Sequence, residues 1–133
     1  MAELPYALEK MHQKPIAWVG SSKKELKSMP EEVQDDIGYA LDLAQHSKQA
    51  DYAERMKGDL HDVIEIRTQN ERGDSAFRGA YTVALGDTVY VLRTFQKKST
   101  KGIATPKREL DLIRQRLKQA REHYEQQKQR NRD

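Results

Sequence analysis

Cysteine is absent from this chain of 133 residues, so neither a disulfide framework nor a zinc site with thiolate ligands is possible. No apolar run approaches the ~18 residues that a membrane-spanning helix needs. No basic segment followed by a short apolar one, the pattern of a secretion signal, opens the chain. These absences predict a soluble, cytoplasmic protein with no membrane partner.

Common catalytic motifs are missing as well. The sequence has no glycine-rich phosphate-binding loop, no HExxH pair, no nucleophile elbow and no Cys/His cluster. The four histidines are scattered along the chain, and each is more typical of an ordinary surface or core residue than of a ligand: His12, His46, His61 and His123. The sequence therefore predicts no metal site and no cofactor.

Charge is what the chain has in abundance. Charged residues make up 34% of it and hydrophobic residues 36%, which is enough apolar material for the core of a single domain, 1–133. Residues 1–60 hold 8 Lys or Arg against 11 Asp or Glu, whereas residues 61–133 hold 16 against 10. The second half favours a polyanionic partner such as nucleic acid, although a solvated helical surface would have the same composition.

The first half of the chain predicts one strand and two helices. Pro15–Gly20 is short, apolar and aromatic, which is typical of a strand. Two capping boxes follow, Ser22 with Glu25 and Ser28 with Glu31, and each would begin a helix. The apolar residues of the second helix recur at the helical period and would form one buried stripe: Val33, Ile37, Ala40, Leu41 and Ala44.

The second half predicts three strands and a last helix. The strands are 62–69, 76–85 and 88–96, with a glycine-containing turn at 70–75 and a two-residue hairpin at Gly86-Asp87. Thr105 would cap the helix, with Pro106 at its first position. In the middle strand one face would carry Phe77, Tyr81, Val83 and Leu85, and the other Arg78. The helix would bury Leu110, Ile113, Leu117 and Ala120.

The order β-α-α-β-β-β-α predicts an α+β domain, in which a small antiparallel sheet packs against N-terminal helices and a C-terminal helix. No internal repeat or low-complexity linker divides the chain. Residues 1–14 lack periodicity and are expected to form a loose arm. Residues 121–133 are polar, and the end of the helix is expected to fray there.

Long cations on or beside the predicted strands are the clearest candidates for chemistry. They are Arg67, Arg78, Arg93, Lys97 and Lys98, and the segment from Lys97 to Arg108 holds five Lys or Arg and no acid. One explanation is that these side chains snorkel at the sheet edge or pair with acids such as Glu65. The other is that the sheet binds phosphate, and the cations taken as a group favour this second explanation.

These residues also carry a family resemblance. The segments GDLHDVIEIR, FRGAY and VYVLRTFQKKSTKGIATPKRELDLIRQRL resemble the toxins of bacterial type II toxin–antitoxin systems. Within the RelE/ParE superfamily they are most similar to the phage-derived, HigB-like group. The resemblance covers roughly residues 15–120 and implies a RelE-like fold, and its most specific part is the aromatic-Gln-Lys-Lys run followed by Thr-Pro-Lys-Arg.

The resemblance implies a small, metal-independent ribonuclease that cuts messenger RNA, usually on the ribosome. In that reaction the ribose 2′-hydroxyl attacks the adjacent phosphorus, which yields a cyclic phosphate and a free 5′-hydroxyl. Fixed cations stabilise the developing charge, and each well-placed donor lowers the barrier by roughly 3–4 kcal/mol. The resemblance thus implies inhibition of translation, and the identity of the general base stays open.

Site roles follow from the same resemblance. The four predicted catalytic residues are Arg67, Arg78, Lys97 and Lys98. Arg67 would bind phosphate and Arg78 would stabilise the transition state. One of the two lysines would hold the messenger or ribosomal backbone, and the other would lie closer to the scissile phosphate. Tyr81 and Tyr90 would stack on bases or pack in the core. The remaining cations are expected to bind the RNA backbone: Arg93, Lys101, Lys107 and Arg108.

The implied partners are a cognate helix-turn-helix antitoxin, the ribosome and messenger RNA, with operator DNA reached only through the antitoxin. The acidic early segment would face the antitoxin or would simply be solvated. Two other functions stay open at this point. One is a ParE-like inhibitor of DNA gyrase, which the lysine pair argues against, and the other is a non-toxic prophage protein that only binds its antitoxin or operator DNA.

Overall fold

The computed structural model describes residues 12–98 and 104–132. Within them the chain forms a five-stranded sheet and three helices. The strands are β1 (Ile16–Trp18), β2 (Ala53–Arg55), β3 (Val63–Gln69), β4 (Ala76–Thr82) and β5 (Val89–Lys97), and the helices are α1 (Ser22–Lys27), α2 (Glu31–Gln45) and α3 (Lys107–Arg132). The predicted α+β class is confirmed. None of the helices in the described residues is long and apolar enough to cross a membrane.

The sheet has the order β1-β5-β4-β3-β2 and is mixed rather than wholly antiparallel. β1 lies parallel to β5, with Ala17 opposite Tyr90, while the other three pairings are antiparallel. A parallel pair needs a long connection, and two helices and three strands separate β1 from β5. The sequence did not predict β2, because three residues are too short to show an alternating pattern.

Each face of the sheet carries its own core. On the α2 face, the predicted helix stripe is buried in full, and it packs on Ile64, Ile66, Phe77, Tyr81 and Val91. On the α3 face, Ile113, Leu117 and Ala120 are buried, and they pack in one cluster with Val63, Ala80, Tyr90, Leu92 and Phe95. The stripe of α2 is thus confirmed in full, and that of α3 is confirmed except that Leu110 is only partly buried.

A β-bulge in β5 decides which side chains reach the α3 face. Ala80 lies opposite Arg93, but Tyr81 lies opposite Val91, so Leu92 is an extra residue with no opposite partner. The extra residue reverses the alternation of the strand. As a result Arg93 and Lys97 point to the same side as Tyr90, although strict alternation would separate them.

The helix starts differ from the predicted capping boxes. α2 begins after Pro30 and has no side-chain cap, and the Ser28 hydroxyl donates to the Glu25 carbonyl at 2.7 Å, which closes α1 instead. At α3, the Thr105 hydroxyl, whose oxygen was expected to accept a helix amide, donates to Glu65. The first turn of α3 is closed by the Pro106 carbonyl, which accepts the Glu109 amide at 3.0 Å.

The predicted two-residue hairpin at Gly86-Asp87 is wrong, because β4 ends at Thr82. The Thr82 hydroxyl donates to the Asp62 carbonyl at 2.6 Å and accepts the Ala84 amide at 3.2 Å, which terminates the strand. Val83 and Leu85 therefore lie outside it, and Leu85 packs on the α3 face instead of sharing a face with Phe77.

The two chain ends also bear on the predictions. α3 stays helical to Arg132, where fraying was expected beyond Arg121, because the Tyr124 ring packs against Gly86. A Cβ at Gly86 would lie 2.6 Å from that ring, and its φ of +63° also favours glycine. Residues 1–11 of the predicted arm lie outside the described residues, and Lys14 is bound to the end of α2 through Gln45.

Candidate functional site

Three of the four predicted catalytic cations meet on the α3 face of the sheet. Arg67 of β3 and Arg78 of β4 are directly opposite each other, and Phe95 of β5 continues the same row. In the next row Lys97 lies opposite Ala76. Residues directly opposite each other have Cβ atoms about 5 Å apart, so the register of the strands holds the two arginines at neighbouring positions on one face.

Arg78 is buried, with 6% of its surface exposed. Its Nη1 donates to the Phe77 carbonyl at 3.1 Å, and its Nε is buried with no hydrogen-bond partner in the described part of the chain. Burial lowers the pKa of Arg78, the carboxylate of Glu65 opposes this, and the charge of Arg67 lowers the pKa further. An unmet buried donor costs about 1–3 kcal/mol, so Arg78 is available to an oxyanion at little further cost.

Arg67 is one-third exposed and is held by two carboxylates. Its Nε lies 3.1 Å from Oε1 of Glu65 and its Nη1 lies 3.3 Å from Oε2 of Glu54. Glu65 itself is 2% exposed, and its Oε2 accepts the Thr105 hydroxyl at 2.5 Å. The pairing of a strand cation with Glu65, left open by the sequence, thus holds for Arg67, and the same carboxylate joins β3 to the start of α3.

A groove of about 510 Å³ opens beside Arg67. Arg67, Glu65 and Thr105 line it together with the apolar side chains of Leu60 and Leu110. We call it the Arg67 groove. It gives a ligand direct access to the partly exposed guanidinium of Arg67, whereas Arg78 is not among its lining residues. A phosphate in the groove would meet Arg67 first.

Lys97 and Lys98, adjacent in sequence, have different surroundings. Lys97 is 5% exposed at the end of β5, whereas Lys98 is exposed. Lys98 and Arg108 line a second groove of about 500 Å³ at the end of the sheet where β4 begins and β5 ends. Lys107 is exposed and pairs with Asp111 at 2.9 Å. Lys101 lies outside the described residues.

Arg93, expected to bind RNA, lines the same groove as Lys98 and Arg108 and is part of a network of charged side chains. Its guanidinium lies 2.8 Å from a carboxylate oxygen of Glu109 and 2.8 Å from one of Glu25. Glu25 also binds Arg116, whose Nη1 donates to the Leu92 carbonyl at 2.9 Å. Burial alone would lower the pKa of Arg93, but the hydrogen bonds and charges of the two carboxylates raise it. This geometry assigns Arg93 to the joining of α1, β5 and α3.

The two tyrosines expected to stack on bases are core residues. Tyr81 is 1% exposed on the α2 face, and Tyr90 is 3% exposed on the α3 face. The Tyr90 hydroxyl lies 3.0 Å from Nδ1 of His123, and the two rings meet edge to face. Burial leaves neither ring a face for a base, so base stacking by these residues is corrected to core packing.

Metal ligands were not expected, and within residues 12–98 and 104–132 no group of three or more His, Asp or Glu side chains is placed to hold a metal ion. Three of the histidines lie beside a carboxylate, His12 beside Asp87 at 3.2 Å, His46 beside Asp42 at 3.8 Å and His61 beside Asp62 at 3.5 Å. The cations of the α3 face are the candidate groups for chemistry among the described residues.

Comparison with known proteins gives one family match. The family model described as phage-derived protein Gp49-like matches residues 24–118. No curated protein matches the sequence. Among solved structures, the chain is similar to a chain of the toxin–antitoxin complex RelBE2 from Mycobacterium tuberculosis, with a TM-score of 0.47 and 12% sequence identity, covering 67% of this chain and 97% of that one. The family match includes Arg67, Arg78, Lys97 and Lys98.

Proposed function

The chain belongs to the phage-derived Gp49-like family, and we propose that it is the toxin of a type II toxin–antitoxin system that cleaves messenger RNA on the ribosome. The observation that carries this proposal is the pairing of Arg67 and Arg78 across β3 and β4, beside an open groove. Two arginines at neighbouring positions on rigid strands repel each other. Both can stabilise the dianionic centre of a phosphoryl transfer.

The reaction we propose is attack by the ribose 2′-oxygen on the adjacent phosphorus. A bond forms between that oxygen and phosphorus while the bond from phosphorus to the 5′-oxygen breaks. One group must accept the 2′ proton and another must give a proton to the leaving 5′-oxygen. The products are a 2′,3′-cyclic phosphate and a 5′-hydroxyl, and the balance requires no oxidant and no added water.

The cations have separate tasks in this scheme. Arg67, partly exposed in the groove, contacts the scissile phosphate, and Arg78 beside it adds the unmet Nε donor as charge develops. Lys97 lies one row further along the same face. The exposed Lys98 and Arg108 are placed to hold the RNA backbone at the end of the sheet.

The partners in this proposal are a cognate helix-turn-helix antitoxin, the ribosome and messenger RNA, all in the cytoplasm. Operator DNA is bound only through the antitoxin. Their identities, and the HigB-like branch, rest on the resemblance of the FQKK and TPKR segments. The exposed side of α2 offers one surface to an antitoxin. It carries Tyr39, which is 58% exposed, between the acidic residues Asp35 and Asp42.

Induction of the chain in growing cells, alone and together with the product of the neighbouring gene, tests the proposal. We expect growth arrest and new 5′-hydroxyl ends inside translated messages, both removed by the neighbouring product. Arg72→Gln is the matched control for the site variants, because Arg72 is exposed in the β3–β4 turn. Arrest with damaged DNA and intact messages would favour a gyrase inhibitor and contradict the nuclease, and absence of arrest would favour a non-toxic family member.

A further inference from the structure

A small pocket of about 210 Å³ lies on the α2 face of the sheet, at the C-terminal end of α2. Its lining includes Lys14, Lys48, Arg55 and Tyr81. Arg67 and Arg78 point to the other face, and Arg55, at the edge of the sheet, is the one lining residue that the pocket shares with the Arg67 groove. Nothing in the proposed function uses the pocket.

The floor of the pocket follows from the register of the sheet. Arg55, Ile64 and Tyr81 lie directly opposite one another on β2, β3 and β4, so their side chains form one row on the α2 face. α2 ends at Gln45, and Ala44 is its last residue to line the pocket. This row of side chains therefore extends past the end of the helix, which leaves a concave space above the side chains.

The charge of the lining is of one sign. Lys14, Lys48 and Arg55 contribute three cations, and the lining contains no Asp or Glu. In the described part of the chain none of these three forms an ion pair, although Arg55 donates to the His61 carbonyl at 2.8 Å. Arg67, Arg93, Arg114 and Arg116, in contrast, are each paired with a carboxylate. The pocket thus concentrates positive charge that no ion pair within residues 12–98 and 104–132 neutralises.

The Tyr81 hydroxyl is a second, independent feature. It is buried with no hydrogen-bond partner in residues 12–98 and 104–132, and its ring lines the pocket. Burial raises the pKa of Tyr81 to about 12, and the nearby charge of Arg55 opposes that rise. The hydroxyl is therefore protonated at neutral pH and is an unmet donor beside a cationic pocket.

The end of α2 does not oppose an anion here. Helix C-termini repel anions through their free carbonyl groups. The Leu43 carbonyl accepts the Lys48 amide at 2.8 Å, the Ala44 carbonyl accepts the Ser47 amide at 3.1 Å, and the Gln45 carbonyl accepts the Lys14 amide at 2.9 Å. Each of these carbonyl groups is therefore occupied by a backbone amide. Ser47, which has a φ of +62° where glycine is usual, lines the pocket as well.

We propose that this pocket binds a terminal phosphoryl group, held by Lys14, Lys48 and Arg55 and by the Tyr81 hydroxyl. Three cations match the two negative charges of a phosphate monoester better than the single charge of a carboxylate. A concave pocket with a buried donor at its floor selects a terminal group that projects from the rest of its molecule. The phosphate of a phosphodiester lies within a chain and cannot project in this way. Inorganic phosphate is the simplest probe of this chemistry.

Titration of the full chain with inorganic phosphate, followed by amide NMR, tests the proposal. We expect the amide signals of Ser47, Lys48 and Gln49 to shift saturably at millimolar phosphate and low ionic strength. Tyr81→Phe keeps the ring and removes only the donor, and Lys48→Gln removes one exposed cation. Each should weaken phosphate binding at these amides about tenfold. Unshifted amides in the wild type, or unchanged affinity in both variants, would overturn the proposal.

The candidate nuclease site also attracts phosphate, so controls separate the two sites. Lys118→Gln removes a matched exposed lysine on α3, and Arg78→Met alters the other face of the sheet. Both should leave the titration of the Ser47 and Lys48 amides unchanged. If Arg78→Met abolishes these shifts, phosphate acts through the other site and the proposal fails.

The chemical class is tested with three more ligands. Acetate or dimethyl phosphate binding as tightly as inorganic phosphate would assign the pocket to carboxylates or to a nucleic-acid backbone, and would contradict a terminal phosphoryl site. Ribose 5-phosphate distinguishes two sources of the group. Tighter binding than inorganic phosphate supports a phosphomonoester, and equal binding supports the free anion.

Discussion

Arg78 and Arg93 lie on the same face of the same sheet, yet their surroundings are opposite. Arg93 is held between Glu25 and Glu109, which together contact all three nitrogen atoms of its guanidinium. Arg78, more deeply buried, bonds only to a carbonyl and leaves Nε unmet among the described residues. Burial alone therefore does not distinguish the roles of these two arginines, whereas their carboxylate partners do.

The strongest test of this comparison is Arg93→Met. It leaves the buried carboxylate of Glu109 without its arginine and removes one of the two arginines that bind Glu25, and breaking such a buried pair costs about 3–5 kcal/mol. We expect the free energy of unfolding in urea to fall by that amount. Arg72→Met serves as the control, because Arg72 is exposed. A loss no larger than that of the control would mean that Arg93 does not join the helices to β5.

The matched change at the other arginine is Arg78→Met. We expect RNA cleavage to fall about 100- to 1000-fold, because a donor to the developing charge is lost. The free energy of unfolding should change by less than about 1 kcal/mol, because a buried unpaired donor is replaced by an apolar side chain of similar length. Normal cleavage by a folded Arg78→Met chain would contradict the role of Arg78.

The carboxylate that holds Arg93 predicts a pH effect. Burial alone would raise the pKa of Glu25, but hydrogen bonds from Arg116 and Ser21 and the charge of Arg93 bring it below its ordinary value of 4.5. A carboxylate with a lowered pKa stabilises the fold above its unfolded pKa, and that contribution is lost as the pH falls through the folded pKa. The loss therefore occurs below pH 4.5.

Urea unfolding at a series of acidic pH values measures this effect. We expect Glu25→Gln to reduce the slope of stability against pH below 4.5, by at most about 1.4 kcal/mol per pH unit for one group. Asp35→Asn removes the same charge from an exposed position, and it should leave the slope closer to that of the wild type. Equal slopes for Glu25→Gln and the wild type would show that Glu25 is not the titrating group.

The smallest expected effect separates the two buried tyrosines. Tyr90→Phe loses the bond to His123 and should reduce the free energy of unfolding by about 1 kcal/mol. Tyr81→Phe loses no bond within the described residues and should be neutral or slightly stabilising without phosphate. Neither change should alter RNA cleavage, whereas a tenfold loss of cleavage in either would show that its hydroxyl takes part in the reaction.

Local periodicity explains what the sequence predicted well. The stripe from Val33 to Ala44 and the stripe of Ile113, Leu117 and Ala120 are set by the helical repeat, and both are buried as expected. Arg67 and Arg78 could be placed together because β3 and β4 are neighbours joined by a short turn. These features depend on residues close in the chain.

The remaining features depend on distant residues. Glu25 and Glu109 neutralise Arg93 from two helices far away in sequence, which no local pattern reveals. The bulge at Leu92 changes the face of Arg93 and Lys97, and no glycine or other local residue marks it. The burial of Tyr81 and Tyr90 was left open beside base stacking, because an alternating strand shows which residues share a face but not which element covers it.

The central claim is that the paired arginines of β3 and β4 cut RNA. Its most direct test is the mapping of 5′-hydroxyl ends in cells that produce the wild type or Arg78→Met at equal levels of folded protein. We expect abundant new ends inside translated messages for the wild type. For Arg78→Met we expect their abundance to fall about 100-fold or more. The same ends at the same abundance in both would contradict it.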